Sequence, residues 1–170
     1  MIDAQTRALA TRVLAACRTR HWTVATAESC TGGLVAGALT EIAGSSDVVD
    51  RGFVTYSNGA KMELVGVPEA TLARHGAVSR ETAEAMARGA LARASVDLTV
   101  AITGIAGPGG GSAEKPVGLV HFAAATRDRL IHREKRYGDI GRSEVRRLSV
   151  IEALDLLLEM AAPQDVLTRP

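Results

Sequence analysis

The chain has 170 residues, 46% of them hydrophobic and 23% charged, with a formal net charge of +1. A chain of this size buries roughly 70% of the surface it would expose unfolded, enough for one domain with its own core, and we read residues 1–170 as that domain. These averages exclude a disordered chain, a collagen and a coiled-coil rod. The near-neutral balance and the 3% aromatic content exclude a nucleic-acid grip, which needs a basic surface and stacking platforms.

Residues 4 to 20 place Leu9, Val13, Leu14 and Cys17 on one face of an amphipathic helix. The N-terminus, MIDAQTRALATRVLAAC, carries an acid and arginines at helical spacing, so no signal peptide is expected. No window reaches about 18 uncharged apolar residues, so no membrane span is expected either. Two cysteines, Cys17 and Cys30, make no disulfide framework, which points to a reducing, cytoplasmic compartment. Thr23 to Ala27 is a short β-prone run, followed by ESCTGG and a second apolar helix, LVAGALTEIAG, ending near Gly44. Val48 to Ser57 is a second strand. SNGAKMELVGVP then makes a turn and a short helix closed by Gly66 and Pro68. Pro68 suits the first turn of the next helix, and Ser79 suits the N-cap of a helix running to about Ser95.

Asp97 to Thr103 is a third, hydrophobic strand. The 13 residues after it, GIAGPGGGSAEKP, hold five glycines and two prolines. VGLVHFAAAT and LIHREKRY follow as a hairpin with Asp128 in its turn. A long helix starts near Gly141 with Val145, Leu148, Ile151, Leu154, Leu157 and Leu158 on its apolar side. Helices interleaved with early strands, and a late hairpin, predict a three-layer α/β/α sandwich on a mixed, mostly parallel sheet of about five strands.

Ligands of open α/β sheets gather beyond the carboxyl ends of the strands. Three strands here end in polar and glycine residues: AESCTGG, YSNGAK and TGIAGPGGGS. In the first, Ser29 and Cys30 lie in the turn and Thr31, Gly32 and Gly33 start a helix, whose free N–H groups favour a nucleophile or an anion. Ser29 or Thr31 acting only as a helix cap is the plainer alternative. Cys30 is a rival nucleophile, but a cysteine hydrolase normally needs a histidine. None of His21, His75, His121 and His132 lies at a strand end beside a turn, so Cys30 reads as a small packed residue. A serine then needs another base. Lys61 sits in the first turn of a short helix, where the dipole and burial both push it towards the neutral form. Tyr56 ends the strand before it, placed to relay a proton or position a ligand.

The 104–116 loop matches neither the P-loop nor the dinucleotide-binding glycine pattern. Its successive amides suit an anion-binding nest. From Arg127 to Arg147 there are eight Lys or Arg against four Asp or Glu, largely a solvated face. Arg142 and Arg146 stand near the start of the last helix, against its dipole, and suggest a phosphate partner. The histidines are far apart and there is no C-x-x-C or H-E-x-x-H, so neither a metal nor a cofactor is expected.

TAESCTGG, GSSDVVDRGFVTYSNGAK, HGAVS and TGIAGPGGGSAEKPVG together resemble the CinA C-terminal domain family, over about residues 5 to 160. The likeness is greatest to its stand-alone members, the nicotinamide-nucleotide amidases. It implies hydrolysis of the carboxamide of nicotinamide mononucleotide, giving nicotinate mononucleotide and ammonia in pyridine-nucleotide salvage. Larger members carry an N-terminal nucleotide pyrophosphatase domain, and that activity is not carried over. The resemblance implies a serine nucleophile with a lysine partner, matching Ser29 and Lys61, with Tyr56 as the motif tyrosine. Ser46 falls in the AGSS turn, and Thr103 and Gly104 begin the TGIAGP motif. The family commonly reads G-D-R where this chain reads Gly138-Asp139-Ile140-Gly141-Arg142, so its phosphate arginine maps to Arg142.

The expected function is therefore an amidohydrolase in which Ser29, Lys61 and Tyr56 are catalytic. Thr31, Gly32, Gly33, Ser46, Thr103, Gly104 and Arg142 would hold the substrate. Amides near Thr31 to Gly33, or at Thr103 and Gly104, would hold the oxyanion. The alternative on the same scaffold is a nucleotide-binding regulatory module without turnover. A small-molecule substrate and a homodimer or larger homo-oligomer are the expected partners, with no nucleic acid and no membrane.

Overall fold

A computed structural model describes residues 2–162. Its five-stranded sheet has the order β2-β1-β3-β4-β5, built from β1 (Val24–Glu28), β2 (Val49–Val54), β3 (Leu98–Gly104), β4 (Leu119–Ala125) and β5 (Leu130–Arg136). β1 pairs in parallel with β2 and with β3. β3, β4 and β5 pair antiparallel, so only β4 runs against the other four. The carboxyl ends of β1, β2 and β3 therefore share one edge of the sheet, and the turns that follow them meet there.

Helices cover both faces: α1 (Ala4–Arg20), α2 (Leu34–Thr40), α3 (Asn58–Val65), α4 (Glu69–His75), α5 (Arg80–Ala94) and α6 (Arg142–Ala161). Side chains alternate across each strand. Val100, Ile102, Val120 and Phe122 pack with Leu9, Val13, Leu14 and Cys17 of α1, and with α2 and α6. Ala27, Ala101, Ala123 and Ala125 face Val65 of α3, Leu72 of α4 and Met86, Ala87 and Ala90 of α5. Alanines on this second face let α5 lie close to the sheet.

The caps explain where helices start. Asp3 accepts the Thr6 amide at 2.7 Å, Ser57 the Ala60 amide at 3.0 Å and Ser79 the Thr82 amide at 3.1 Å. Some boundaries differ from the sequence-based expectation. α2 stops at Thr40, short of Gly44. Pro68 stands just before α4 rather than within its first turn, at φ −61° and ψ 135°, an extended geometry that its ring permits. β2 ends at Val54; the Thr55 amide still donates to Glu28 O of β1 at 2.8 Å, and the chain then turns into α3. Leu148 and Leu158 are only partly buried on α6.

α3 is seated directly on α5. A Cβ added at Gly89 of α5 would stand 1.6 Å from the Val65 carbonyl oxygen, so only glycine permits this approach. Gly89→Ala should lower the unfolding free energy by about 1–3 kcal/mol through overpacking. Urea denaturation at unchanged slope checks it; an unmoved midpoint would show that α3 shifts without cost.

Candidate active site

β1 delivers two consecutive residues to opposite sides of the sheet. Ser29 follows Ala27 to the α3/α5 side, and its amide donates to Ile102 O at 2.9 Å. Lys61, in α3, is only 1% exposed. Its Nζ lies 3.0 Å from Ser29 Oγ, 2.9 Å from the Thr55 carbonyl and 3.5 Å from the Tyr56 carbonyl. As an ammonium it donates to all three; as an amine its lone pair can face the serine hydroxyl. Among the described residues no carboxylate pairs with it. Burial pushes the Lys61 pKa down, with only Cys30 acting the other way.

The preceding residue was missed by the sequence reading. Glu28 is 1% exposed and turns to α2. Its carboxylate accepts the amides of Gly33 at 3.1 Å, Val35 at 3.0 Å and Ala36 at 2.9 Å, and the Thr26 hydroxyl at 3.1 Å. The start of α2, expected to face a ligand, is thus filled from within. Gly33, at φ +96°, bends the chain so that its amide reaches Glu28, and it is not a free oxyanion donor. The Gly32 amide is also taken, by Ser29 O at 3.1 Å. An acid at a strand end, a few residues before a helix, was the available signal.

Tyr56 is exposed, and only its carbonyl approaches Lys61. Its hydroxyl instead accepts Arg142 Nη2 at 3.0 Å. Arg142 Nη1 donates to Gly107 O at 3.0 Å, so this arginine spans from α6 to both the YSNGAK turn and the glycine loop. Arg146, one turn on, goes elsewhere: to the carbonyls of Cys30 and Thr31 at 3.1 and 3.3 Å. Thr31 is fully buried, and its hydroxyl makes no hydrogen bond among the described residues. Thr103 is also buried and donates to Ala77 O of the HGAVS segment at 2.6 Å. Gly104 ends β3 against Leu119 and Val120.

Ser46 is not brought to this edge. It lies in a short 3-10 turn, Ser45–Asp47, that leads into β2, at the amino end of that strand and on the order of 20 Å from the Lys61 turn at 3.3 Å per residue. Cys30 packs into the α1/α2/α6 core, and burial pushes its thiol up to about 12. Neither Ser29 nor Cys30 bonds a histidine: His21 closes α1, His75 ends α4 and His121 faces His132 at 3.0 Å.

The molecule is thus a three-layer α/β protein with a buried serine–lysine pair at the ends of its parallel strands. A family model described as the CinA C-terminal domain matches residues 6–161, and the chain belongs to that family. The nicotinamide-nucleotide amidohydrolase PncC of Escherichia coli (strain K12) is 52% identical over 159 residues, covering 92% of this chain and 95% of that protein. A CinA-like protein of Synechococcus sp. (strain RCC307) is 55% identical over 150 residues, but this chain spans only 36% of its length. The crystal structure of the competence/damage inducible protein CihA from Agrobacterium tumefaciens superposes with a TM-score of 0.94 at 56% identity, covering 95% of this chain and 99% of that one.

Lys61 leaves a mark on stability. Its native pKa lies below the 10.5 of an ordinary lysine. Between those two values the unfolded chain binds more protons than the native one, so stability rises with pH there. The wild-type chain should therefore gain on Lys61→Met as pH climbs towards 10.5. Urea denaturation of both across pH measures this; a constant gap would assign Lys61 an ordinary pKa.

Proposed function

We propose that this chain hydrolyses nicotinamide mononucleotide to nicotinate mononucleotide and ammonia, with Ser29 as nucleophile and Lys61 as its base. The carrying observation is the 3.0 Å contact between Ser29 Oγ and the buried Lys61 Nζ. Similarity over nearly the whole chain to a nicotinamide-nucleotide amidohydrolase supports the choice of substrate.

The chemistry runs as follows. Ser29 Oγ attacks the carboxamide carbon as its proton passes to Lys61 Nζ. The tetrahedral intermediate collapses, the C–N bond breaks, and Lys61 returns the proton to the leaving nitrogen, releasing ammonia. Water then attacks the acyl ester, giving its proton to Lys61. Nicotinate mononucleotide leaves and Ser29 regains its hydroxyl. A lysine depressed by burial suits both proton transfers. In this reading Arg142 takes the 5′-phosphate; its bonds to the Tyr56 hydroxyl and the Gly107 carbonyl support the role by tying it to the YSNGAK turn and the glycine loop.

Ser29→Ala should cut ammonia release roughly 10⁴-fold or more while the nucleotide still binds. Cys30→Ala should keep most of the activity. A coupled ammonia assay with calorimetric titration reads both, and the opposite pattern would indicate a thiol mechanism.

The 5′-phosphate should also matter. A hydrogen bond to a charged group contributes about 1.5–3 kcal/mol. At about 1.4 kcal/mol per tenfold, nicotinamide riboside should be used on the order of 10²-fold less well than the nucleotide. Arg142→Ala should erase most of that preference. Equal kcat/KM values for nucleotide and nucleoside in the wild type would remove Arg142 from the phosphate site.

A further inference from the structure

We infer that Glu28 is a positioning residue for the nucleophile, a buried clamp on the turn that begins at Ser29; this rests on the serine–lysine reading above. Glu28 is the last residue of β1, and Ser29 follows it. Both carboxylate oxygens act only as acceptors. Oε2 takes the amides of Gly33 and Val35, and Oε1 takes the amide of Ala36 and the Thr26 hydroxyl. At 1% exposure, a carboxylate needs such donors to replace its hydration. Gly33 and the first turn of α2 are thereby drawn to the end of β1.

Only residues 29 to 32 separate Glu28 from Gly33, so one side chain joins the two ends of a short loop. Inside the loop, the Ser29 amide donates to Ile102 O at 2.9 Å, and the Ser29 carbonyl accepts the Gly32 amide at 3.1 Å. The first bond ties Ser29 to β3. The second ties it only to Gly32, and Gly32 and Gly33 stand at φ +58° and +96°. Two glycines in succession would let that side of the turn swing. Arg146 holds the middle of the loop through the Cys30 and Thr31 carbonyls. Glu28 holds its exit, because it binds Gly33 and α2 together. Ser29 Oγ then stays where Lys61 Nζ lies 3.0 Å away.

Glu28 does not act through the charge of the base. It lies on the other face of the sheet from Lys61. Burial depresses the Lys61 pKa and only Cys30 opposes that shift. Loss of the Glu28 charge therefore leaves the base as it was, while loss of its geometry moves the serine.

Glu28→Gln keeps the shape and turns one oxygen into a donor. With the new NH₂ in place of Oε1, the Thr26 hydroxyl can rotate and accept from it, and only the Ala36 amide loses its partner. Thr26→Val removes that escape. A reacting group misplaced by about 1 Å can cost on the order of 10²-fold. Glu28→Gln should lower kcat roughly 10-fold, Thr26→Val alone at most about threefold, and the double variant roughly 10²-fold, more than the product of the two. KM and the nucleotide-to-nucleoside ratio of kcat/KM should hold, because Arg142 is untouched. The midpoint of the kcat–pH profile should hold as well, because Lys61 is untouched. Thermal unfolding of each variant scales these rates to the folded fraction.

Two further readouts need no amide turnover. With a fluorophosphonate, Ser29 Oγ bonds phosphorus, fluoride leaves and the serine proton passes to Lys61; labelling should slow by the same factors as kcat. In the wild type, three amides on one carboxylate share one opening, so native-state hydrogen exchange should give Gly33, Val35 and Ala36 a common protection. That measurement decides the matter even where a variant does not fold: three unrelated protections would overturn the clamp. Wild-type kcat and labelling rate in the folded double variant would also overturn it. A shifted pH midpoint in Glu28→Gln would make Glu28 a charge partner of Lys61 and end the positioning role. Wild-type protein that labels at Ser29 but releases no ammonia from nicotinamide mononucleotide would instead remove the substrate assignment, and the relative labelling rates would still decide the role of Glu28.

Discussion

A lysine amine shut away from water, with no carboxylate beside it among the described residues, is the constraint around which this edge of the sheet is built. A buried ammonium without a counter-ion is costly. Lys61 meets that cost with three oxygens, from Ser29, Thr55 and Tyr56, and with a pKa depressed by burial. Each partner depends on a different part of the fold. Ser29 is placed by the end of β1, and the two carbonyls by the chain leaving β2. Lys61 itself is placed by α3, whose last residue, Val65, rests on Gly89 of α5. The bare Cα of Gly89 is thus part of what keeps the amine at the serine.

Strand alternation supplies the second condition. Glu28 and Ser29 are neighbours in sequence and both are buried, yet they face opposite layers. On the same side, the carboxylate would meet Lys61, form an ion pair and favour the charged lysine. On the α2 side it is instead saturated by three amides and a hydroxyl. One residue of offset along a strand separates an acid that organises the backbone from a lysine buried beside a serine.

The turn between them is held from both ends of its peptide dipoles. Glu28 takes amides of residues 33, 35 and 36, and Arg146 takes carbonyls of residues 30 and 31. An anion and a cation from different layers thus grip one loop, and neither touches the other. This explains why a stretch with two glycines at positive φ, Gly32 and Gly33, is not a loose connection.

Much of this was legible in the amino-acid order. Apolar spacing marked the five strands and the long helices, Ser79 marked the start of α5, and polar residues with glycine after three strands marked the edge where Ser29 and Lys61 meet. These are local properties: periodicity, capping and turn chemistry act over a few residues. What the sequence alone did not decide was which groups pair across distance. Composition and position alone gave Arg142 and Arg146 the same standing and only the resemblance favoured Arg142; in the fold they reach Gly107 and Cys30 respectively. Ser46 was grouped with the site by the resemblance, through its AGSS turn, whereas β2 runs between that turn and YSNGAK and sends them to opposite ends of the sheet. The sequence reading passed over Glu28, whose partners are amides of a helix that forms only after the strand ends. Only the packed layers settle such matters, because hydrogen-bond direction and burial depend on neighbours brought together by the sheet order and the alternation of its faces.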